Sequence, residues 1–345
     1  MSDPVGTVTL SQVADHAGVS LATASRALNG STRKVKPELH QRVLASASAL
    51  GYSANVLAQS VARGTSKTVA IVLGDIADPY FSAIASGVIR VAEANGLVVT
   101  MAATGGDAER EDATLVAIKG QRPQVVILAG SRHVAEESGE RMAREVAAIE
   151  RLGARVAVIG SRTTTGRAVA VLNRAGAADL ADALIDLGYR DFAVIAGNPD
   201  LVTAVERSTG FIEAAAARDV AIAPDRVIPS GFSRDGGYES VRALLASGMR
   251  PDCVFAVTDV MAVGAMAAIR DAGLVPGRDI AVAGFDDIQM LQDVTPSLTT
   301  VALPLAEIGA RSLELALADD PDAALTAPIP GRVVVRDSTP PRRAD

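Results

Sequence analysis

Asp75, Asp78, Tyr80 and Phe81 stand together in the run GDIADPYF, directly after a short apolar stretch. A carboxylate there can accept hydrogen bonds from hydroxyl groups, and an aromatic face can stack on the apolar surface of a sugar or a base. The chemistry on offer is recognition of a polar ring, although Asp78-Pro79 also suits the start of a turn. Asp286 and Asp287 in GFDD make a poor acid-base couple. Neighbours at a strand end point to opposite faces, so the pair reads as one ligand contact and one structural acceptor.

Other chemistries lack their machinery. Cys253 is the only cysteine, and His16, His40 and His133 lie far apart, so neither a metal nor a cofactor is expected. Lys67 in GTSKT has no Gly immediately before it, which excludes a phosphate loop. GGDAER at 105–110 lacks the dinucleotide spacing, and no GxSxG is present. These residues predict a binding protein rather than an enzyme.

The elements that would position such groups differ between the two ends of the chain. From Thr9, the residues Leu10, Val13, Ala14 and Ala17 recur at helical spacing, Gly18 permits a tight turn, and Ser20 is a good N-cap for a second helix. That helix buries Ala24, Ala27 and Leu28 and leaves Leu21, Ala22, Ser25 and Arg26 outside, near the end that a recognition helix presents to the major groove. Arg26 is the best base reader, since its fork matches guanine O6 and N7. A third helix begins near Pro37, with Val43, Leu44, Ala47 and Leu50 as its core stripe, and ends at Gly51. Asn55 caps a further short helix before Gly64, too short to be stable alone.

Composition agrees with this division. A chain of 345 residues suggests two or three folding units, and 49% hydrophobic residues without an apolar run of 18 describe a globular protein rather than a membrane one. The net charge of -7 is uneven: residues 1–64 carry six basic and three acidic groups, +3, which leaves -10 for the rest. A basic head on an acidic body suits a protein whose head alone approaches a polyanion. MSDPVGTVTLSQ has no secretory pattern, and together with the lone cysteine this points to the cytoplasm. Beyond residue 67, apolar runs (VAIVLGDI, LVVTMAAT, VVILAG, VAVIG, FAVIAG, CVFAVTD, IAVAGFDD) alternate with helical stretches. This is the rhythm of parallel sheets in two similar lobes, with a ligand expected beyond the strands' carboxyl ends.

The runs TLSQVADHAGVSLATASRALNG and VLASASALGYSANVLAQSVARG resemble the head and hinge of the lac repressor and purine repressor family, and TTVALPLAEIGARSLELAL and GRVVVRDST resemble late segments of its core. The resemblance implies an all-α helix-turn-helix headpiece (1–52), a hinge helix and linker (53–66), and an α/β body like periplasmic binding proteins (67–345). Its N-lobe would span about 67–164 and 298–326, and its C-lobe about 165–297 and 327–340. The implied DNA contacts are Leu21, Ala22, Ser25, Arg26 and Asn29, with Ala58 and Val61 of paired hinge helices wedged into the minor groove. Arg207 in ERSTGF matches the family's RxxGF motif, and Thr258, Asp259 and Asp286 fall at its pocket positions. The implied partners are a double-stranded operator and a sugar or nucleoside, with no membrane. The chain also lacks the leucine-rich tail of the tetrameric lac repressor, so a homodimer is expected.

Three departures stand out: Val61 where the family usually has Leu, a longer GSTRKV loop, and Gly160-Ser161 where many members place an acid. The function that follows is a ligand-switched transcriptional regulator, most readily a repressor. The alternatives are a transport-type binding protein or a DNA-binding head fused to a sugar-modifying enzyme.

Overall fold

The computed structural model describes residues 8–29, 35–52, 66–160, 167–319 and 328–342. By its contacts the chain divides into two compact units, Met1–Ser66 and Lys67–Asp345.

In the first unit, α1 (Leu10–Ala17) starts at a capping box: the Thr9 hydroxyl accepts from the Gln12 N–H, and the Gln12 side chain accepts from the Thr9 N–H at 2.8 Å. Gly18 ends the helix at φ 61°, a left-handed turn that a side chain would strain. α2 (Leu21–Asn29) follows at once, with the Ser20 hydroxyl accepting from the Thr23 N–H. α3 (Pro37–Ala49) begins on its proline. Val13, Ala14, Ala17, Ala24, Ala27, Val43 and Ala47 form the core, with Leu10, Val19, Leu28 and Leu50 packed against it. Most of these are alanines, so the two buried valines, worth roughly 1.5–3 kcal/mol each, carry a large share of the packing energy.

One reading of this head is corrected. Leu44 is 44% exposed and outside the core, because Val43, Ser46, Ala47 and Leu50 already complete the inward stripe. Arg42, counted among the cationic groups, donates from Nε and Nη2 to the Ala17 carbonyl and from Nη2 to the Gly18 carbonyl. It closes the C-terminus of α1 onto α3.

In the second unit, β1 (Thr68–Leu73), β2 (Val98–Ala103), β3 (Val125–Ala129), β4 (Arg155–Gly160) and β5 (Arg167–Ala170) form a parallel sheet in the order β2-β1-β3-β4-β5. The intervening helices are α4 (Pro79–Ala94), α5 (Ala108–Gln121) and α6 (Glu136–Arg151). A second parallel sheet, β7-β6-β8-β9, is built from β6 (Phe192–Gly197), β7 (Val227–Pro229), β8 (Cys253–Ala256) and β9 (Ala281–Ala283). Its helices are α7 (Asn173–Asp186), α8 (Val202–Ala217), α9 (Arg234–Ala246) and α10 (Asp259–Asp271). Every residue of β3 and β8 is buried, as strands covered by helices on both faces must be.

The chain then crosses back. β10 (Thr300–Ala302) pairs antiparallel with β11 (Arg332–Val334), and between them α11 (Leu305–Leu317) packs on α4 in the first lobe. Arg155 secures this return by donating from Nη1 to the Leu317 carbonyl at 2.7 Å, at the end of α11.

The lobe boundary expected near residue 165 is also corrected. β5 pairs with β4 from Ala157↔Arg167 to Gly160↔Ala170, so the first lobe extends to Ala170 and the crossing comes just after it. Residues 161–166 thus separate two strands of one sheet, and the four-residue β5 is too short to announce itself.

Candidate functional site

On the head, the outer face of α2 offers Leu21, 53% exposed, together with exposed Ala22 and Arg26 and a half-buried Ser25. Asn29 is the last residue of α2. Because Ala24 and Ala27 hold the opposite face in the core, this edge is fixed in direction and its arginine is free of the packing. Ala58 and Val61, like Arg33, Lys34, Asn55 and Ser161, lie outside the described residues.

The body brings Asp75, Asp78, Tyr80, Phe81, Arg207, Thr258 and Asp286 into the lining of one cleft of about 400 Å³ between the carboxyl ends of the two sheets. The size falls within the range of small-molecule sites. Asp78 caps α4, accepting from the Tyr80 N–H at 2.9 Å, and Asp75 accepts from the Ala77 N–H at 2.9 Å. Burial raises the Asp78 carboxyl above its usual range, opposed by the Tyr80 N–H and reinforced by Asp75. The Phe81 ring lies against Gly74, where an added Cβ would meet it at 2.9 Å, and Tyr80 meets Phe81 edge-on with centroids 5.0 Å apart.

Arg207 and Asp286 face each other before they face any ligand. Arg207 Nη2 donates to Asp286 Oδ1 at 2.8 Å, Nη1 to the Val257 carbonyl at 2.8 Å and Nε to Asn173 Oδ1 at 3.0 Å, and the guanidinium lies 4.0 Å from the centre of the Phe285 ring. Two of its five N–H groups and one oxygen of Asp286 are left for a ligand. Burial raises the Asp286 carboxyl, and Arg207 pulls it back.

Asp286 and Asp287 do not continue a strand: their φ values are 117° and 58°, a backbone few non-glycine residues adopt. Ion pairs from both sides hold this bend, Arg207 to Asp286 and Arg336 Nη2 to Asp287 Oδ1 at 2.7 Å. Asp259, expected at the pocket, points elsewhere. Its Oδ1 accepts from the Thr300 hydroxyl at 2.6 Å and its Oδ2 from the Ile288 N–H at 3.0 Å, pinning α10 to the crossover.

Thr258 differs from the other cleft residues. It occupies the N-cap position of α10, yet its hydroxyl caps nothing; it is buried and has no hydrogen-bond partner. Such a group in a native fold calls for an unseen partner.

The sequence reading missed Asn173, Asn198, Phe232, Ser131 and Thr203, all in the same lining. Asn198 and Ser131 follow strand ends in the way Asp75 does, so the rule that exposed Asp75 also covered them. Phe232 rests on Gly197 (φ 77°), where a Cβ would collide with its ring at 2.2 Å. Only the fold shows this ring facing the same cleft as Phe81.

The lobes also touch through main chain. Val202 N–H donates to the Arg132 carbonyl at 2.8 Å, Val134 N–H to the Asp200 carbonyl at 2.8 Å, and Thr203 N–H to the Ser131 hydroxyl at 3.0 Å, around an antiparallel bridge between His133 and Leu201. The first N–H groups of α8, which no side chain caps, are thereby satisfied across the cleft.

Residues 9–55 match the family described as bacterial regulatory proteins, lacI family, and residues 181–339 match a periplasmic binding protein-like domain. The ribose operon repressor of Halalkalibacterium halodurans is 31% identical over 335 residues, covering 96% of this chain and 97% of that one. This chain belongs to the LacI family. It is therefore a DNA-binding transcriptional regulator with a ligand-binding body, not an enzyme. The HTH-type transcriptional repressor PurR of Histophilus somni is 29% identical over 89% of this LacI-family chain and 90% of its own. The lac repressor dimer bound to operator and the anti-inducer ONPF shares the fold with a TM-score of 0.81, at 24% identity, over 96% of this chain and 99% of that one. Among the described residues, no helix is long and apolar enough to cross a membrane.

Proposed function

We propose that this protein is a cytoplasmic repressor whose homodimer grips a near-palindromic operator and is switched by a sugar or nucleoside in the interlobe cleft. The observation that carries the reading is the pairing, in one chain, of a fixed helix edge bearing Arg26 with a cleft in which Thr258, Arg207 and Asp286 keep hydrogen-bonding capacity in reserve. Leu21 and Ala22 meet thymine methyls and local groove shape, while Arg26 reads a guanine. Ala58 and Val61 act at the operator centre, where apolar wedges part a base step and so extend the contact. The relatives' names support a small polar ring as effector: two ribose operon repressors, at 29% and 31% identity, stand among them.

An effector changes operator affinity only by binding one arrangement of the lobes better than the other, and such couplings typically span about 5- to 150-fold. The test is DNA selected from a random pool by the full chain, then titrated with and without candidate sugars and nucleosides. A change of that size supports the reading. A ligand that is bound but leaves DNA affinity unaltered defeats the switch, and turnover of the ligand would favour an enzyme fused to a DNA-binding head.

A further inference from the structure

The cleft is short of positive charge. Among the described residues that line it, Asp75, Asp78, Glu111 and Asp286 are acidic, while Arg207 is the one arginine and is already paired with Asp286. Carboxylates only accept hydrogen bonds, so a ligand must bring the donors.

In parallel-sheet lobes of this kind, phosphates are ordinarily held at helix N-termini beyond the strands. Here three of those ends, at α4, α5 and α9, are capped by the protein's own side chains. Asp78 caps α4, Asp107 caps α5 through the Arg110 N–H at 2.8 Å, and Ser233 caps α9 through the Gly236 N–H at 3.0 Å. The first turn of α8 donates across the cleft to Arg132 and Ser131, and that of α10 carries the buried Asp259. Burial raises the carboxyls of Asp78 and Glu111, a sign that this space already resists negative charge.

Among the described residues that line the cleft, the one buried polar side-chain group without a partner is the Thr258 hydroxyl, which suits a ligand hydroxyl, as donor or acceptor. Phe81 and Phe232 add an aromatic ring from each lobe.

We infer that the cleft selects an uncharged, hydroxyl-rich ring and rejects the same molecule once it is phosphorylated, an inference that rests on reading the cleft as the effector site. A phosphate would be desolvated beside Asp75, Asp78 and Glu111, and the one arginine among the described lining residues is already held by Asp286.

The test is calorimetric titration of the full chain with matched pairs: ribose and ribose 5-phosphate, glucose and glucose 6-phosphate, adenosine and its 5′-monophosphate. Any neutral member that binds should lose at least about 100-fold on phosphorylation. The isosteric Thr258→Val should weaken that neutral member about 3- to 10-fold. A phosphorylated member that binds as tightly as its parent, and is weakened by Thr258→Val, overturns the inference. Inorganic phosphate titrated alone needs no knowledge of the ligand: silence at millimolar concentration supports the charge rule, and heat lost in Thr258→Val overturns it. If every neutral probe fails while phosphate is also silent, the effector reading is what falls.

Discussion

Arg207 and Asp286 are each 3% exposed and held at 2.8 Å, so removing either alone strands a buried charge. Arg207→Ala should cost about 3–5 kcal/mol in urea denaturation of the full chain, and Arg207→Ala combined with Asp286→Ala clearly less than the two single losses added together. Additive losses would mean that the pair is not the unit. Arg26, by contrast, is exposed on α2 and should matter only to DNA. Arg26→Ala is expected to lose about 1–3 kcal/mol of discrimination for selected over random DNA with little change in stability, read by competition binding. Burial, with Asp112 adding to it against Arg132, pushes the Glu111 carboxyl up to about 7. Its proton stays on in the folded chain where the unfolded chain, with Glu near ~4.3, has released it. Stability from this group is thus intact below about pH 4.3 and lost as the pH rises through 7, so Glu111→Gln should flatten the fall in urea midpoint between about pH 5 and about pH 8. At this scale, Asp75, Asp78, Tyr80 and Phe81 were legible because strand-end position alone singles them out. Arg207 and Thr258 came only through the family resemblance, which also strengthened the strand-end reading of Asp286. Asn173 was not legible, since nothing local marks an asparagine that bridges Arg207 Nε and Glu206 Oε2.

Elements were legible where their own residues close them. The Thr9 box, Gly18 and Pro37 bound the head helices without help from the rest of the chain. β5 and β7 were not, because strands of four and three residues owe their existence to neighbours in the sheet. The cross-lobe ribbon was equally invisible, since its donors are backbone N–H groups that any sequence carries. Val202→Pro tests it cleanly. Val202 is the first residue of α8, where proline is favoured, and Leu201 before it is extended at φ -104°, ψ 126°, as a residue preceding proline must be. The helix should persist while the bond to the Arg132 carbonyl is lost, and effector affinity should fall about 2- to 10-fold through faster release, measured by stopped flow. Unchanged release would reduce the ribbon to a passive contact. On the proposed hinge role of Val61, Val61→Gly is expected to weaken operator binding far more than random-DNA binding, because it would remove an apolar wedge and helix propensity while keeping every charge. Equal loss on both DNAs would overturn the hinge assignment.

For the whole molecule, the charge division, the alternating strand and helix runs and the head motif gave the architecture, because hydrophobic period and capping are local properties. Which residues meet across the cleft is a property of two lobes joined where the chain crosses between them, through the bridges Val171↔Ile329, Ala283↔Thr299 and Asp286↔Ala302, and no local signal carries it. Asp286 belongs both to the cleft and to one of those bridges. A ligand that draws on the second oxygen of Asp286 would therefore act on the bend that joins the lobes. The most direct test is the affinity of the full chain for its selected DNA, by fluorescence anisotropy at fixed salt, with and without a neutral ligand bound in the cleft. The expected result is a shift of about 5- to 150-fold that Thr258→Val moves to higher ligand concentration. A saturating ligand that leaves the DNA affinity within twofold, a margin of about 0.4 kcal/mol, would contradict the switch.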